Sequence, residues 1–378
     1  MRESNKSWRQ KDMAIFFSEE PENDLWRELL QYSYKANIER YLKKRQITAN
    51  EKTIDCIVGS FLQAYEYYKA ARDANIQISP LLLYYGSTNL LYGMINLITG
   101  RINEINNHGM KLYIPDQMKY IADVDIRFLS PKDGGIHVVA RTIGVQQDMI
   151  GYGDWKLKEF LGAIAEIQGD YLRCYDCKIG CVVMLDVYNT PEGKVEKVYF
   201  NENNKEDILQ SLANVEGFSD SYLPLGIGKN YENEQQYFIL RHKLCGKNIS
   251  ETSYSGQKYL LVSHVKGKKR IALPALMNMY IALFALSSLC RYFPERWSPF
   301  VLYDNSGERL LVKKFLYYAR RMLPNYVLNT ICGEVNYSFS KYKENDTVNR
   351  LGAHEVQEMI DNTVKDYMEK QRIKHLIG

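Results

Sequence analysis

The sequence predicts an α+β protein: a mostly helical body, with its N- and C-terminal helical parts packed together and an antiparallel β region inserted between them. Three observations carry this. Residues 1–108 and 271–340 place apolar residues at helical spacing. Residues 109–270 change to short alternating or β-branched runs broken by proline and glycine. The stretch Ile271–Cys290 has no charged residue, and a helix apolar on all sides needs partners on all sides. Residues 341–378 read as a charged helical tail, and no low-complexity linker separates the parts, so the β region is expected to pack on the helices.

Taken in order, residues 1–50 are expected to be helical, with Trp26, Leu29, Leu30, Ile38, Tyr41 and Leu42 on one stripe and Lys43, Lys44 and Arg45 at a helix C-terminus, where their sign is favoured. Thr53–Asn75 and Pro80–Gly100 read as two helices forming an antiparallel hairpin. Pro80 suits a first helical turn, and Gly86 and Gly93, seven apart, allow another helix to approach closely. Lys111–Ile114, Ile121–Leu129 and Ile136–Ile143 read as strands, Trp155–Ile167 as a helix, and Cys181–Tyr188 with Val195–Phe200 as a hairpin. A short helix at Asp207–Ala213 and strands at Tyr237–Leu240 and Tyr259–Val265 follow. Ala272 begins a helix that Pro294 stops; Leu310–Met322 and Tyr326–Tyr337 are two more, separated by Pro324.

Composition bounds the function classes. Thirty tyrosines against thirteen phenylalanines imply many buried hydroxyls in search of partners. A net charge of +4 does not define a nucleic-acid binder, and it does not oppose a phosphate-bearing ligand. Seven cysteines and the polar start MRESNKSWRQKD point to reduced thiols in the cytoplasm. Ile271–Cys290 has the length of a membrane span, but Pro274, Asn278, Ser287 and Ser288 interrupt it and a strand precedes it, so a buried core helix and no membrane association is the expectation.

Two blocks of sequence carry a resemblance. FLQAYEYYKAA followed by SPLLLYYGSTNLL, and later LSSLCRYFPERW followed by FLYYARRMLPNYVLN, resemble the YaaC-like family of bacterial proteins. There an aromatic- and alanine-rich helix leads into a Pro-Leu-Leu-Tyr-Tyr-Gly helix, and a late apolar helix ends in Arg-Tyr followed by Trp. The resemblance covers the first hundred residues and Leu273 to about Asn329. It implies a cytoplasmic bacterial protein of helical-plus-β architecture, from a family met in nucleotide-metabolism and phage-defence settings.

The candidate site residues follow from polar groups on apolar helices. Arg291 and Tyr292 end the most apolar helix; an arginine leaving a core is either a structural ion pair or cap, or a planar clamp for phosphate. Tyr84, Tyr85 and Asn89, with Gln63 and Tyr67 on the hairpin partner, are either a satisfied polar network or a pocket that stacks a base and reads its edge. Lys313 and Lys314, in the basic cluster up to Arg321, and the run Lys266–Arg270 are either solvated faces or a positive surface for a nucleotide or nucleic acid. No catalytic residue is assigned.

Weaker patterns stand beside these. Cys174-x-x-Cys177 and His242-x-x-Cys245 have zinc stoichiometry but a long separation, and no metal site is expected. Gly86-Ser87 with Asp123 and Asp125 loosely resembles a nucleotidyl-transfer layout, in which case Mg2+ would be the cofactor. Arg350 and His354 loosely resemble the pair of a helical ribonuclease. The expected function is nucleotide binding by a homo-oligomer that makes or senses a nucleotide signal in anti-phage defence. The alternatives are a non-enzymatic scaffold subunit that binds a partner protein from the same operon in a defence or nucleotide-metabolism complex, and an RNA-cleaving ribonuclease.

Overall fold

A computed structural model describes residues 13–340 apart from 131–133, 146–153, 178–179, 191–192, 231–233, 244–245, 247–248, 254–255, 263, 266–267, 270–272 and 334–335. The N-terminal stripe is not one helix. Met13–Phe17 form strand β1, followed by α1 (Pro21–Leu29), a 3-10 turn at Leu30–Ser33 and α2 (Lys35–Lys44). Ser33 donates to the Leu30 carbonyl at 2.7 Å, a local bond that competes with the helical ladder and lets the chain turn.

α3 (Glu51–Asp73) begins at Asn50, whose side chain accepts the Thr53 N–H at 2.8 Å, an N-cap. α4 (Ser79–Thr99) ends on Gly100 in the left-handed region, φ 67°. The two pack together so closely that a Cβ on Gly86 would stand 2.7 Å from the Tyr68 ring, and one on Gly93 3.1 Å from Phe61.

The next residues join this body. β2 (Met110–Tyr113) and β3 (Asp125–Phe128) pair antiparallel, and Ile121–Asp123, expected as strand, are a 3-10 turn. The expected strand Ile136–Ile143 is α5 (Gly135–Thr142). Ile136, Val139 and Ala140 lie three and four apart and are all buried, so tertiary burial overrides β-branched propensity. β4 (Trp155–Lys156) adds to β3, and α6 (Leu157–Leu161) and α7 (Gln168–Tyr175) follow. Leu112, Ile126, Leu157 and Phe160 share one hydrophobic core with α1–α4.

The remaining β residues form a separate layer. β5 (Val182–Thr190), β6 (Gly193–Phe200), α8 (Lys205–Ala213), α9 (Phe218–Ser221), β7 (Tyr222–Lys229), β8 (Gln236–His242), β9 (Glu251–Thr252) and β10 (Lys258–Leu261) build an antiparallel sheet of order β7-β8-β6-β5-β10-β9. Leu185, Val198, Phe200, Leu240 and Leu260 give it a core of its own, covered by Leu212 of α8. β7 carries Pro224, Gly226 and Gly228, which hide a strand from sequence; it is an edge strand with a bulge between Pro224 and Gly226, where proline is tolerated. β11 (His264–Val265) and β12 (Lys268–Lys269) form a small hairpin within the expected basic run, of which Lys266 and Arg270 lie outside the described residues.

α10 (Ala275–Tyr292) is the centre of the body: every residue from Ala275 to Leu289 is buried. By length and composition it could cross a membrane, yet 83% of it is buried against the protein. α11 (Pro294–Tyr303) starts at the expected stop and buries Trp297, whose indole donates to the Gln77 carbonyl at 3.2 Å. α12 (Glu308–Cys332) runs through Pro324 without ending there. Leu323, Val327, Leu328 and Ile331 continue its buried stripe, and their packing outweighs the lost ladder bond. The helix expected to reach Tyr337 is helical only to Cys332, and Asn336–Ser340 form β13, paired parallel with β1.

Glu308 fastens α12 to the β2–β3 region. Its buried carboxylate accepts the N–H groups of Ile121 (2.7 Å) and Ala122 (2.9 Å) and the hydroxyl of Tyr175 (2.8 Å). Burial pushes its pKa up to about 7, against the lowering effect of those three donors.

Candidate functional site

α4, the start of β2 and the C-terminal end of α10 enclose a cleft of about 250 Å³. Its buried wall is Tyr84, Met110, Leu112 and Phe284, all at most 8% exposed. Ser287 and Ser288, 4% and 8% exposed, line it from α10. Their hydroxyls have no hydrogen-bond partner among the described residues, whereas most serines and threonines on buried helices here bond a carbonyl or another hydroxyl, as Ser60 does with Cys56 at 2.7 Å.

The mouth is cationic and aromatic. Arg291, exposed, donates through Nη1 to the Tyr85 hydroxyl. Its guanidinium lies 4.9 Å from the Tyr292 ring and 5.9 Å from the Tyr85 ring, so two aromatic rings hold the fork in place. Tyr85 in turn stacks on Tyr67 of α3, centroids 6.0 Å apart. Lys111 borders the cleft through its place on β2, but it alternates with the buried Met110 and Leu112, and its ammonium lies 5.0 Å from the Tyr113 ring on the other face of the strand. No aspartate or glutamate is among the described residues lining the cleft.

A buried relay runs along one wall. Tyr84 stacks on Tyr280 (5.4 Å), which meets it hydroxyl to hydroxyl at 3.5 Å and reaches Thr88 at 3.2 Å. The Tyr84 hydroxyl lies 2.8 Å from His108 Nδ1. Burial holds the Tyr84 phenol protonated well above the usual tyrosine range. Burial first, and the Arg291 charge second, lower the His108 pKa, which favours the neutral imidazole.

Of the residues singled out from sequence, Tyr84, Tyr85, Arg291 and Tyr292 come together here. Tyr67 backs Tyr85 from the second helix. Asn89 donates to the Tyr85 carbonyl of its own helix at 3.0 Å, and Gln63 is exposed on α3; neither lines the cleft. Lys313 is exposed on α12, and Lys314 is paired with Asp170, both away from the lining. Sequence reasoning passes over Ser287, Ser288, His108 and Lys111. The two serines carry a signal, since they interrupt an apolar run; His108 and Lys111 sit in an unpatterned loop and strand and carry none.

The weaker patterns are taken up by structure. Ser87 is closed by the Tyr68 hydroxyl at 2.6 Å, Asp123 accepts the N–H groups of Lys119 and Tyr120, and Asp125 pairs with Lys156 at 3.2 Å, so they form no joint metal site. Among the described residues no group of three His, Cys, Asp or Glu is placed to hold a metal ion. Cys174 packs on the helical core with its thiol raised to about 12, chiefly by burial, and His242 belongs to the sheet. Cys245, Arg350 and His354 lie outside the described residues.

Fold and site define a helical protein with an inserted antiparallel sheet and an aromatic cleft, with Arg291 at its mouth, where its two helical parts meet. The family model described as YaaC-like Protein matches residues 15–331, and the chain belongs to that family. No curated protein and no solved structure matches it.

Proposed function

We propose that the protein binds a nucleotide in the cleft between α4 and α10 and acts as a sensor of a nucleotide signal in the bacterial cytoplasm. One observation carries the reading: two unpartnered hydroxyls, Ser287 and Ser288, lie on a buried aromatic wall one helical turn before Arg291 at the mouth. An apolar, ring-lined interior suits a base, and unpaired hydroxyls there supply the hydrogen bonds a base edge needs. A planar, always-charged guanidinium at the mouth suits phosphate. Sensing is favoured over nucleotidyl transfer because the lining offers no carboxylate to hold Mg2+. The anti-phage setting rests on the family resemblance alone.

Isothermal titration with ribonucleotides checks the reading. Binding is expected, and Arg291→Gln weakens it by roughly ten- to a hundredfold, the value of a charge-assisted hydrogen bond. Absence of binding by every ribonucleotide, with and without Mg2+, would sink it.

A further inference from the structure

We infer that the ligand is a nucleoside monophosphate, bound with its base inward against Phe284, Ser287 and Ser288 and its single phosphate outward on Arg291. This rests on the nucleotide reading and narrows it.

Size sets the first limit. Ligand pockets for drug-sized molecules run from roughly 300 to 1,000 Å³. At about 250 Å³ this cleft admits one ring system, not a dinucleotide or a stack of bases. Charge sets the second. Arg291 is the permanent cation that the described residues place at the mouth. It matches one phosphate group, which carries about −1.5 to −2 at neutral pH, and not a longer polyphosphate. A triphosphate adds roughly two further charges, which other proteins neutralise with additional basic groups or carboxylate-held Mg2+; among the described residues the mouth supplies neither.

Orientation follows from burial. Ser287 and Ser288 are nearly enclosed, and a phosphate placed on them would be desolvated away from the Arg291 guanidinium. A base placed there stays within reach of two hydroxyls, each able to donate or accept. The opposite arrangement puts an apolar ring at the exposed mouth and buries the phosphate charge away from Arg291. Binding single-stranded nucleic acid would require a cationic groove that carries the backbone past successive stacking rings. Here Tyr84, Tyr280 and Phe284 are packed on each other inside the body and present one face, not a track.

The test is isothermal titration of the full chain with AMP, GMP, CMP and UMP, the matching nucleosides and triphosphates, inorganic phosphate and a ten-nucleotide RNA. At least one monophosphate is expected to bind ten times more tightly than its nucleoside, its triphosphate or the RNA. Replacing both serines (Ser287→Ala with Ser288→Ala) is expected to weaken that monophosphate at least fivefold and to leave inorganic phosphate unchanged. A triphosphate or RNA binding equally well, or serine replacement without effect on the monophosphate, overturns this inference while nucleotide binding stands. Failure of every nucleotide ends both.

Discussion

Two serines on the two most apolar helices make an instructive pair. Ser87 on α4 is fully buried, and Tyr68 closes its hydroxyl at 2.6 Å. Ser287 on α10 is 4% exposed and has no hydrogen-bond partner among the described residues. At the α3–α4 seam and the base of α10, polar groups are closed: Asn96 receives the Asn103 N–H at 3.0 Å, and Asn278 donates to the Leu273 carbonyl at 2.7 Å. At the cleft they are open. Residue type and burial are nearly the same, so closure is what separates a structural polar group from one held ready for a ligand.

The largest expected effect lies among the closed groups. Glu308→Ala removes the acceptor of two buried N–H groups and the Tyr175 hydroxyl together. It is expected to destabilise by on the order of 4 kcal/mol, read by urea denaturation. A loss below about 1 kcal/mol would mean that these donors find other partners and that closure is not what secures this junction.

The same carboxyl gives a pH signature. Its folded pKa, about 7, lies above its unfolded value of 4.5, so the folded state holds the extra proton between the two. This contribution is fully present below pH 4.5 and lost as pH rises through about 7. It amounts to roughly 3 kcal/mol. Glu251, half-buried beside Tyr259 and also pushed up to about 7, shares the window. Glu308→Gln therefore flattens the stability–pH curve between those limits without levelling it. An unchanged slope would show that Glu308 is ionised throughout.

Gly86→Ala probes how tightly the closed seam is built. The added Cβ meets the Tyr68 ring at 2.7 Å and the Tyr67 Cβ at 3.0 Å. Tyr68 is 1% exposed and tied to Ser87, so it has nowhere to turn. Overpacking of about 1–3 kcal/mol exceeds the gain of roughly 1 kcal/mol from helix propensity. A net destabilisation of about 1–2 kcal/mol is expected in thermal or urea melts; stabilisation would show that the seam has slack.

Much of this contrast was legible beforehand. Periodicity located α3, α4 and α10, and the family resemblance falls on the helices that meet at the cleft. Tyr84, Tyr85, Arg291 and Tyr292 stood out because aromatic or charged groups on apolar helices must go somewhere. Other features were hidden for physical reasons. α5 is made of β-branched residues whose helical state depends on burial against other elements. Pro324 breaks an isolated helix but not one packed along its whole length. Whether a hydroxyl is closed depends on a residue far along the chain, as Ser87 depends on Tyr68, and no local pattern encodes that.

The smallest expected effect is the most discriminating, because one substitution serves both halves of the comparison. Ser87→Ala and Ser287→Ala gain the same few tenths of a kcal/mol in helix propensity. Ser87→Ala leaves the Tyr68 hydroxyl, buried on a 1% exposed side chain, without its partner, which costs about 1–2 kcal/mol. Ser287→Ala strands no partner and removes a hydroxyl held against an apolar wall, so it is neutral or stabilises by about 0.5 kcal/mol. The two melts, run side by side, differ in sign or nearly so. Equal destabilisation would mean that the Ser287 hydroxyl is tied into the fold as firmly as that of Ser87, and the cleft would lose the open groups that mark it as a binding site.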